Sequence, residues 1–422
     1  MDRILVVLFL VILCGAALGQ QAVPEFTTDY EPPPIAVPPP AAAVYEYMDV
    51  AVLAAALFLA AWLALKKRSR RGILALTVFS LAYFGFWRKG CICSVGAIQN
   101  CALTIADPAY AMPVAAMAFF LLPLVFALFF GRVFCAAVCP LGALQDLVLV
   151  RPVKLPSWLR QALGLLPYAH LGAAVVLAAL GGVFVICRYD PFVAFFRLGG
   201  STKMLLLGGG VLLIAMFVGR PYCRFLCPYS VLLKWSSRVS KWHLSITPDE
   251  CVQCRLCEDA CPFGAIKEPS PPESVPRAEG KKRLIALLLL LPPLVAVGGL
   301  LGRLGSGALA QTNATVRTAG LVRQNENAAF DTEPDEVTAF HQTGRPSREL
   351  FAEADDLNRK YKLGGWILGG WMGLVIAGKL IALSVRRKNT DYEPDRAECL
   401  SCGRCFSYCP RERLRLKNES NA

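Results

Sequence analysis

Cys251-Val252-Gln253-Cys254-Arg255-Leu256-Cys257-Glu258-Asp259-Ala260-Cys261-Pro262 and, near the far end of the chain, Cys399-Leu400-Ser401-Cys402-Gly403-Arg404-Cys405-Phe406-Ser407-Tyr408-Cys409-Pro410 carry one cysteine spacing twice. Three thiols, each two residues from the next, can wrap successive irons of one cubane. A fourth, displaced by three residues and followed by proline, is carried by the turn towards a neighbouring cluster. The spacing therefore predicts two [4Fe–4S] clusters with crossed ligation: Cys251, Cys254 and Cys257 with Cys409, and Cys399, Cys402 and Cys405 with Cys261. Zinc is the weaker reading, because zinc sites more often pair two C-x-x-C units. Crossed ligation requires both runs to lie on one side of any membrane, which makes cysteine spacing a test of topology.

Two apolar stretches, 283–302 and 364–385, separate the runs, so an outgoing and a returning helix would bring them back together. Upstream, similar stretches occur near 47–65, 72–87, 112–130, 161–186 and 202–219. The chain of 422 residues is 55% hydrophobic and 18% charged, with mean hydropathy +0.47, too apolar for a soluble domain of this size. Its 17 cysteines are too tightly spaced for a disulfide framework. The net charge of +13 does not point to nucleic acid, because Lys and Arg cluster beside the apolar stretches. Lys66-Lys67-Arg68-Ser69-Arg70-Arg71, Lys281-Lys282-Arg283 and Arg386-Arg387-Lys388 set three helix ends as cytoplasmic. Alternation then puts 131–160, 220–282 and 386–422 inside, and 88–111, 187–201 and 303–363 outside.

The expected fold is mainly α: a polytopic membrane protein of about seven helices after a signal peptide, with a ferredoxin-like α+β module assembled on the cytoplasmic side from two separate segments. In order, the divisions are a signal peptide over 1–19, a Pro-rich periplasmic linker over 20–46 and a five-helix membrane domain over 47–246. There follow the first ferredoxin half over 247–282, a sixth span over 283–302 and a periplasmic segment over 303–363. A seventh span over 364–385 and the second ferredoxin half over 386–422 complete the chain.

Gly131-Arg132-Val133-Phe134-Cys135-Ala136-Ala137-Val138-Cys139-Pro140 is repeated as Gly219-Arg220-Pro221-Tyr222-Cys223-Arg224-Phe225-Leu226-Cys227-Pro228. Spacing of four puts both thiols of a pair on one helical turn, and the following proline suits a helix start. Cys135, Cys139, Cys223 and Cys227 thus supply a full ligand set for a third cluster; simple packing of buried cysteine is the plainer alternative. A weaker echo, Cys93-Ser94-Val95-Gly96-Ala97-Ile98-Gln99-Asn100, parallels Cys139-Pro140-Leu141-Gly142-Ala143-Leu144-Gln145-Asp146. On the external side Cys91, Cys93, Cys101 and Cys187 form either a metal site or disulfides in an oxidising compartment. Asp107-Pro108 and Asp190-Pro191 follow Cys101 and Cys187 at similar distances.

Haem is disfavoured by counting, since only His170 lies in a span. His170 reads as a helix-interface residue, Lys379 as a snorkelling cation, and 234–246 as an interfacial stretch. No general base, nucleophile or phosphate loop marks a bond-making enzyme. The chain reads as an electron-transfer component.

These motifs resemble the membrane polyferredoxins of the NosR, NapH and CcoG type, over residues 72–265 and again at 399–409. The order of parts is closest to the NosR branch without its flavin domain, for which 20–46 leaves no room, so covalent FMN on this chain is not expected. The resemblance implies an inner-membrane protein that passes electrons from a cytoplasmic or quinol donor to a periplasmic reductase or flavoprotein partner. Two other classes fit the same residues: a redox sensor or cofactor-assembly factor that reduces a metal such as copper, and a scaffold subunit of a respiratory complex.

Overall fold

The computed structural model describes residues 43–90, 93–181, 183–246, 251–270, 277–327, 334–385 and 389–421. The signal-peptide and most of the linker stretch, Cys91, and Arg386-Arg387-Lys388 lie outside them. Four helices are long and apolar enough to cross a bilayer: Val44–Lys66, Ser157–Gly181, Glu279–Leu304 and Ser347–Ser384. Ala97–Ala106, Val114–Phe130 and Thr202–Ala215 are apolar but shorter. The stretch expected as the second span is an α-helix over Arg70–Ser80 that loosens into a π-helix over Leu81–Trp87.

Each Gly-Arg repeat ends a helix and turns the chain back into the protein. Gly131, with φ of 72°, closes Val114–Phe130, because a residue in that region cannot continue the helix and glycine reaches it without strain. A buried π-turn over Phe134–Val138 and a helix starting at Pro140, buried over Leu141–Asp146, follow. The second repeat runs through Pro221–Phe225 and Tyr229–Arg238 in the same manner. Proline at a helix start has no amide hydrogen to leave unpaired.

Between the two ferredoxin runs, the Arg277–Leu304 and Ser347–Ser384 helices pack backbone to backbone. A Cβ built on Gly302 would stand 2.0 Å from the Gly365 carbonyl oxygen, and one on Gly369 2.0 Å from that of Gly298. Small residues permit this approach in an apolar medium, where burial against lipid gives no driving force. The pair returns the chain beside its departure point. There β1 (Ile266–Lys267) pairs antiparallel with β2 (Glu393–Pro394), in register Ile266↔Pro394 and Lys267↔Glu393. The Asp395 N–H donates to Ala265 at 2.8 Å, and Lys267 pairs with Asp395 at 2.6 Å. The segment expected as periplasmic, 303–363, is helical over Ser306–Ala310, Ala314–Asn327 and Asp335–Gln342. It has its own small core of Val322, Val337, Phe340, Leu350 and Ala354.

Candidate metal centres

Both ferredoxin runs take the same backbone path. Gln253 and Ser401, each two residues past the first cysteine, have φ of 51° and 53°; Arg255 and Gly403, two further on, have 62° and 75°. Such positive angles cost non-glycine residues on the order of 1 kcal/mol each, and they coil the chain around its thiols. The coil aims amides at sulfur: Ser401 N–H towards Cys399 Sγ at 3.4 Å, and Ala265 N–H towards Cys261 Sγ at 3.5 Å.

The eight thiols fall into the two quartets drawn from spacing. Cys261, Cys399, Cys402 and Cys405 line one cavity together with Leu244, Phe263, Ala265 and Ile266. Cys251, Cys254, Cys257 and Cys409 line a second, wider one. Burial pushes the Cys399 thiol up to about 12 and the Cys257 thiol up to about 11, so bare thiolates are disfavoured there. Bound iron reverses that preference, because a coordinated thiol is deprotonated outright. Among the described residues no three Cys, His, Asp or Glu side chains converge on a single-ion position. The thiols surround a volume instead, which suits a multi-iron group with sulfur-directed amides around it.

The paired-motif thiols Cys135, Cys139, Cys223 and Cys227 are all buried in the membrane domain. Gln145 holds two of the segments together: its amide donates to Cys223 Sγ at 3.3 Å, and its carbonyl accepts the Tyr222 N–H at 3.0 Å. The repeated arginines are buried beside these thiols. Arg220 donates to the carbonyls of Cys135 and Ala136, the latter at 3.2 Å. Arg132 reaches the Ala397 carbonyl at 3.2 Å and Cys135 Sγ at 3.7 Å.

One carboxylate gathers three of the chain's arginines. Asp146 pairs with Arg70 at 3.2 Å, Arg220 at 3.5 Å and Arg404 at 3.1 Å. Burial opposes its charge, yet the guanidiniums of Arg220, Arg404 and Arg70 hold its carboxyl well below the usual carboxylate range. Arg70 also donates to the Cys402 carbonyl at 2.8 Å. Arg68 pairs with buried Glu412 and donates to the carbonyls of Ser245 at 2.9 Å and Ile246 at 2.6 Å. Arginines whose charge marks a helix end thus also seat the second ferredoxin run against the membrane domain. Sequence reasoning did not single out Arg68, Arg70, Gln145 or Asp146; the Gly-Arg and Gly-Ala-x-Gln repeats were the available signals.

The cysteines expected on the external side separate. Cys93 lines a cavity together with Cys139 and Asp190. Cys187 lies by Gly96, where a built Cβ would meet its sulfur at 3.1 Å. Cys101 instead sits 3.7 Å from the Met112 sulfur. His170 bridges helices, its Nδ1 2.8 Å from the Leu226 carbonyl oxygen. Lys379 donates to the Gln161 carbonyl. Trp242 stacks on Phe130 with ring centroids 5.5 Å apart.

A model described as a 4Fe-4S binding domain matches residues 112–165 and 202–247, and a second of the same description matches 244–267. The protein NirI of Paracoccus denitrificans is 32% identical over 152 residues, covering 33% of this chain and 22% of NirI. The methylamine utilization ferredoxin-type protein MauN of Methylobacillus flagellatus is 27% identical over 160 residues, 34% of this chain and 52% of MauN. The regulatory protein NosR of Pseudomonas aeruginosa is 27% identical over 226 residues, 48% of this chain and 30% of NosR. The chain therefore spans between about a fifth and a half of the length of these relatives. No solved structure matches.

Proposed function

Taking the chain as a NosR-like, membrane-associated polyferredoxin, we propose that it relays electrons between a cytoplasmic or quinol donor and a periplasmic acceptor across the inner membrane. In this reading seven helices span the bilayer and both ferredoxin halves face the cytoplasm. The observation that carries it is the sorting of eight cysteines from two distant segments into two thiol-lined sites, joined by the β1–β2 pair. Cys135, Cys139, Cys223 and Cys227 are buried as well, Cys135 beside Arg132 and Cys223 beside Gln145.

Cys251, Cys254, Cys257 and Cys409 would hold one [4Fe–4S] group, and Cys399, Cys402, Cys405 and Cys261 a second. Cys135, Cys139, Cys223 and Cys227 would hold a third. Such groups supply reversible one-electron transfer when bound. The chain's own residues do the rest. Leu244, Phe263 and Ile266 put apolar surface around Cys261, Cys399, Cys402 and Cys405. Arg132 and Arg220, buried beside the paired thiols, place positive charge where an added electron would reside, which favours the reduced state. Arg220 also touches Asp146, which holds Arg404 of the second ferredoxin run, so a continuous charged contact runs between the two levels. The chain itself carries neither haem nor covalent FMN in this proposal; a flavoprotein partner would complete delivery.

The test is electron crossing. Anaerobic proteoliposomes holding trapped ferricyanide and given dithionite outside should bleach the trapped acceptor when they contain the iron-loaded protein. Cys405→Ser should abolish the bleaching while the protein remains inserted and folded. A rate unchanged by Cys405→Ser would overturn the relay and leave a scaffold.

A further inference from the structure

The echo between Cys93–Asn100 and Cys139–Asp146 extends into the hydrogen bonding. Gln145 accepts the N–H of Tyr222, the residue before Cys223, at 3.0 Å; Gln99 accepts the N–H of Ile186, the residue before Cys187, at 2.9 Å. Both glutamines thus tie the helix that follows one cysteine to the residue before another, which matches Cys93 with Cys139 and Cys187 with Cys223. Asp190, a carboxylate, accepts the Phe192 N–H at 2.9 Å. Pro191 and Phe192 follow Asp190 as Pro228 and Tyr229 follow Cys227. With one residue fewer between Cys187 and Asp190 than between Cys223 and Cys227, Cys93, Cys187 and Asp190 correspond to Cys139, Cys223 and Cys227 of the paired motif.

The surroundings call for a positive centre. Asp190 is 5% exposed and lines the same cavity as Cys93 among Leu53, Phe84, Phe119 and Phe196. Buried carboxylates are paired or coordinate metals. Asp146 has three arginines, whereas among the described residues no Lys or Arg forms an ion pair with Asp190. Cys187 approaches the turn after Cys93 from the other side: a Cβ built on Gly96 would meet Cys187 Sγ at 3.1 Å and the Cys93 carbonyl oxygen at 3.8 Å. Cys139 lines the cavity as well, so this locus adjoins the paired-motif quartet.

We propose that Cys93, Cys187 and Asp190 hold a further iron–sulfur cluster with mixed thiolate and carboxylate ligation, adjoining the quartet of Cys135, Cys139, Cys223 and Cys227. The inference rests on the relay reading and supplies its outward end, with Asp190 in place of a repeat thiol and Cys101 outside the ligand set. A carboxylate oxygen is a harder donor than a thiolate, so this centre differs electronically from its repeat partner.

The experiment uses full-length protein, purified anaerobically in lipid nanodiscs, with iron and sulfide counted per chain and reduced samples examined by paramagnetic resonance. The double variant Cys93→Ser/Cys187→Ser should lose about four irons and one signal, by four-iron arithmetic, and keep the rest. Asp190→Cys should retain iron but alter the line shape and midpoint of that one signal. It reads the site even where the double variant fails to fold. If Cys405→Ser loses iron while Cys93→Ser/Cys187→Ser loses none and Asp190→Cys leaves every signal unchanged, the relay stands and this site is wrong. A Cys93–Cys187 disulfide in the unreduced protein would also overturn it. Loss of no iron in any variant, Cys405→Ser included, would sink the relay reading itself.

Discussion

Replacing Asp146 with asparagine removes one negative charge from under three arginines. The Asp146 and Arg220 side chains are 1% and 0% exposed, whereas Arg404 and Arg70 are 16% and 22% exposed. An exposed ion pair is worth about 0–1 kcal/mol. Breaking a buried one by removing a single partner costs about 3–5 kcal/mol, because the remaining charge stays desolvated. Arg220 falls under the second rule; Arg70 and Arg404 can recruit water, which puts the expected cost near the lower end, about 3 kcal/mol. At about 1.4 kcal/mol per tenfold, that is roughly a hundredfold change in an equilibrium constant. Arg404 belongs to the second ferredoxin run, so the change should appear as undocking of 399–421 from the membrane domain. Hydrogen exchange on the iron-loaded protein reads it: amides across 399–421 should exchange roughly a hundredfold faster in Asp146→Asn, by the same conversion. Unchanged protection would refute the claim that this carboxylate seats the tail.

Arg68→Lys should fail to restore what Arg68→Ala loses. The guanidinium meets Glu412 through Nε and both carbonyls through one Nη, a planar spread that one ammonium does not reproduce; proteolysis of the 410–421 helix is the readout. The tail should also loosen in acid. Asp146 and Asp395 have depressed carboxyls, opposed by burial but held down by Arg220 and its neighbours and by Lys267 respectively. Their stabilisation is complete above the unfolded value of about 3.9 and is lost as pH falls through the lower folded values. Exchange of 399–421, corrected for intrinsic rates, should therefore be flat from about pH 8 to 5, well above that range; a loss between those limits would contradict the assignment. Gly369→Leu should separate the Arg277–Leu304 and Ser347–Ser384 helices, since its Cβ alone would stand 2.0 Å from the Gly298 carbonyl oxygen. Overpacking costs typically 1–3 kcal/mol where side chains can shift, and here a backbone atom must move, so protease sensitivity of 305–346 should rise.

The ferredoxin quartets were legible because ligand spacing is a local property: C-x-x-C-x-x-C fixes which thiols coil together, and the structure repeats positive φ at Gln253 and Arg255 as at Ser401 and Gly403. The apolar stretches were legible by length. Other features depend on contacts between distant residues. Lys66–Arg71 reads correctly as a charged helix end, but nothing in that stretch says that Arg68 meets Glu412 or that Arg70 meets Asp146. The inward turn at Gly131 is hidden because the apolar run ending at Phe130 looks like any other span end. Cys101 sits near Cys93 in sequence, yet the Ala97–Ala106 helix carries it to Met112. Asp190 was visible only as Asp-Pro; its proposed correspondence to Cys227 rests on the proline and aromatic residue that follow each.

Counting iron and acid-labile sulfide on anaerobically purified protein, with paramagnetic resonance after stepwise reduction, reaches the central claim most directly. The two ferredoxin sites alone predict about eight irons with matching sulfide and two interacting one-electron signals, and the paired motif raises that to about twelve. Protein that is folded and inserted yet holds no iron, or holds zinc in its place, would contradict the account.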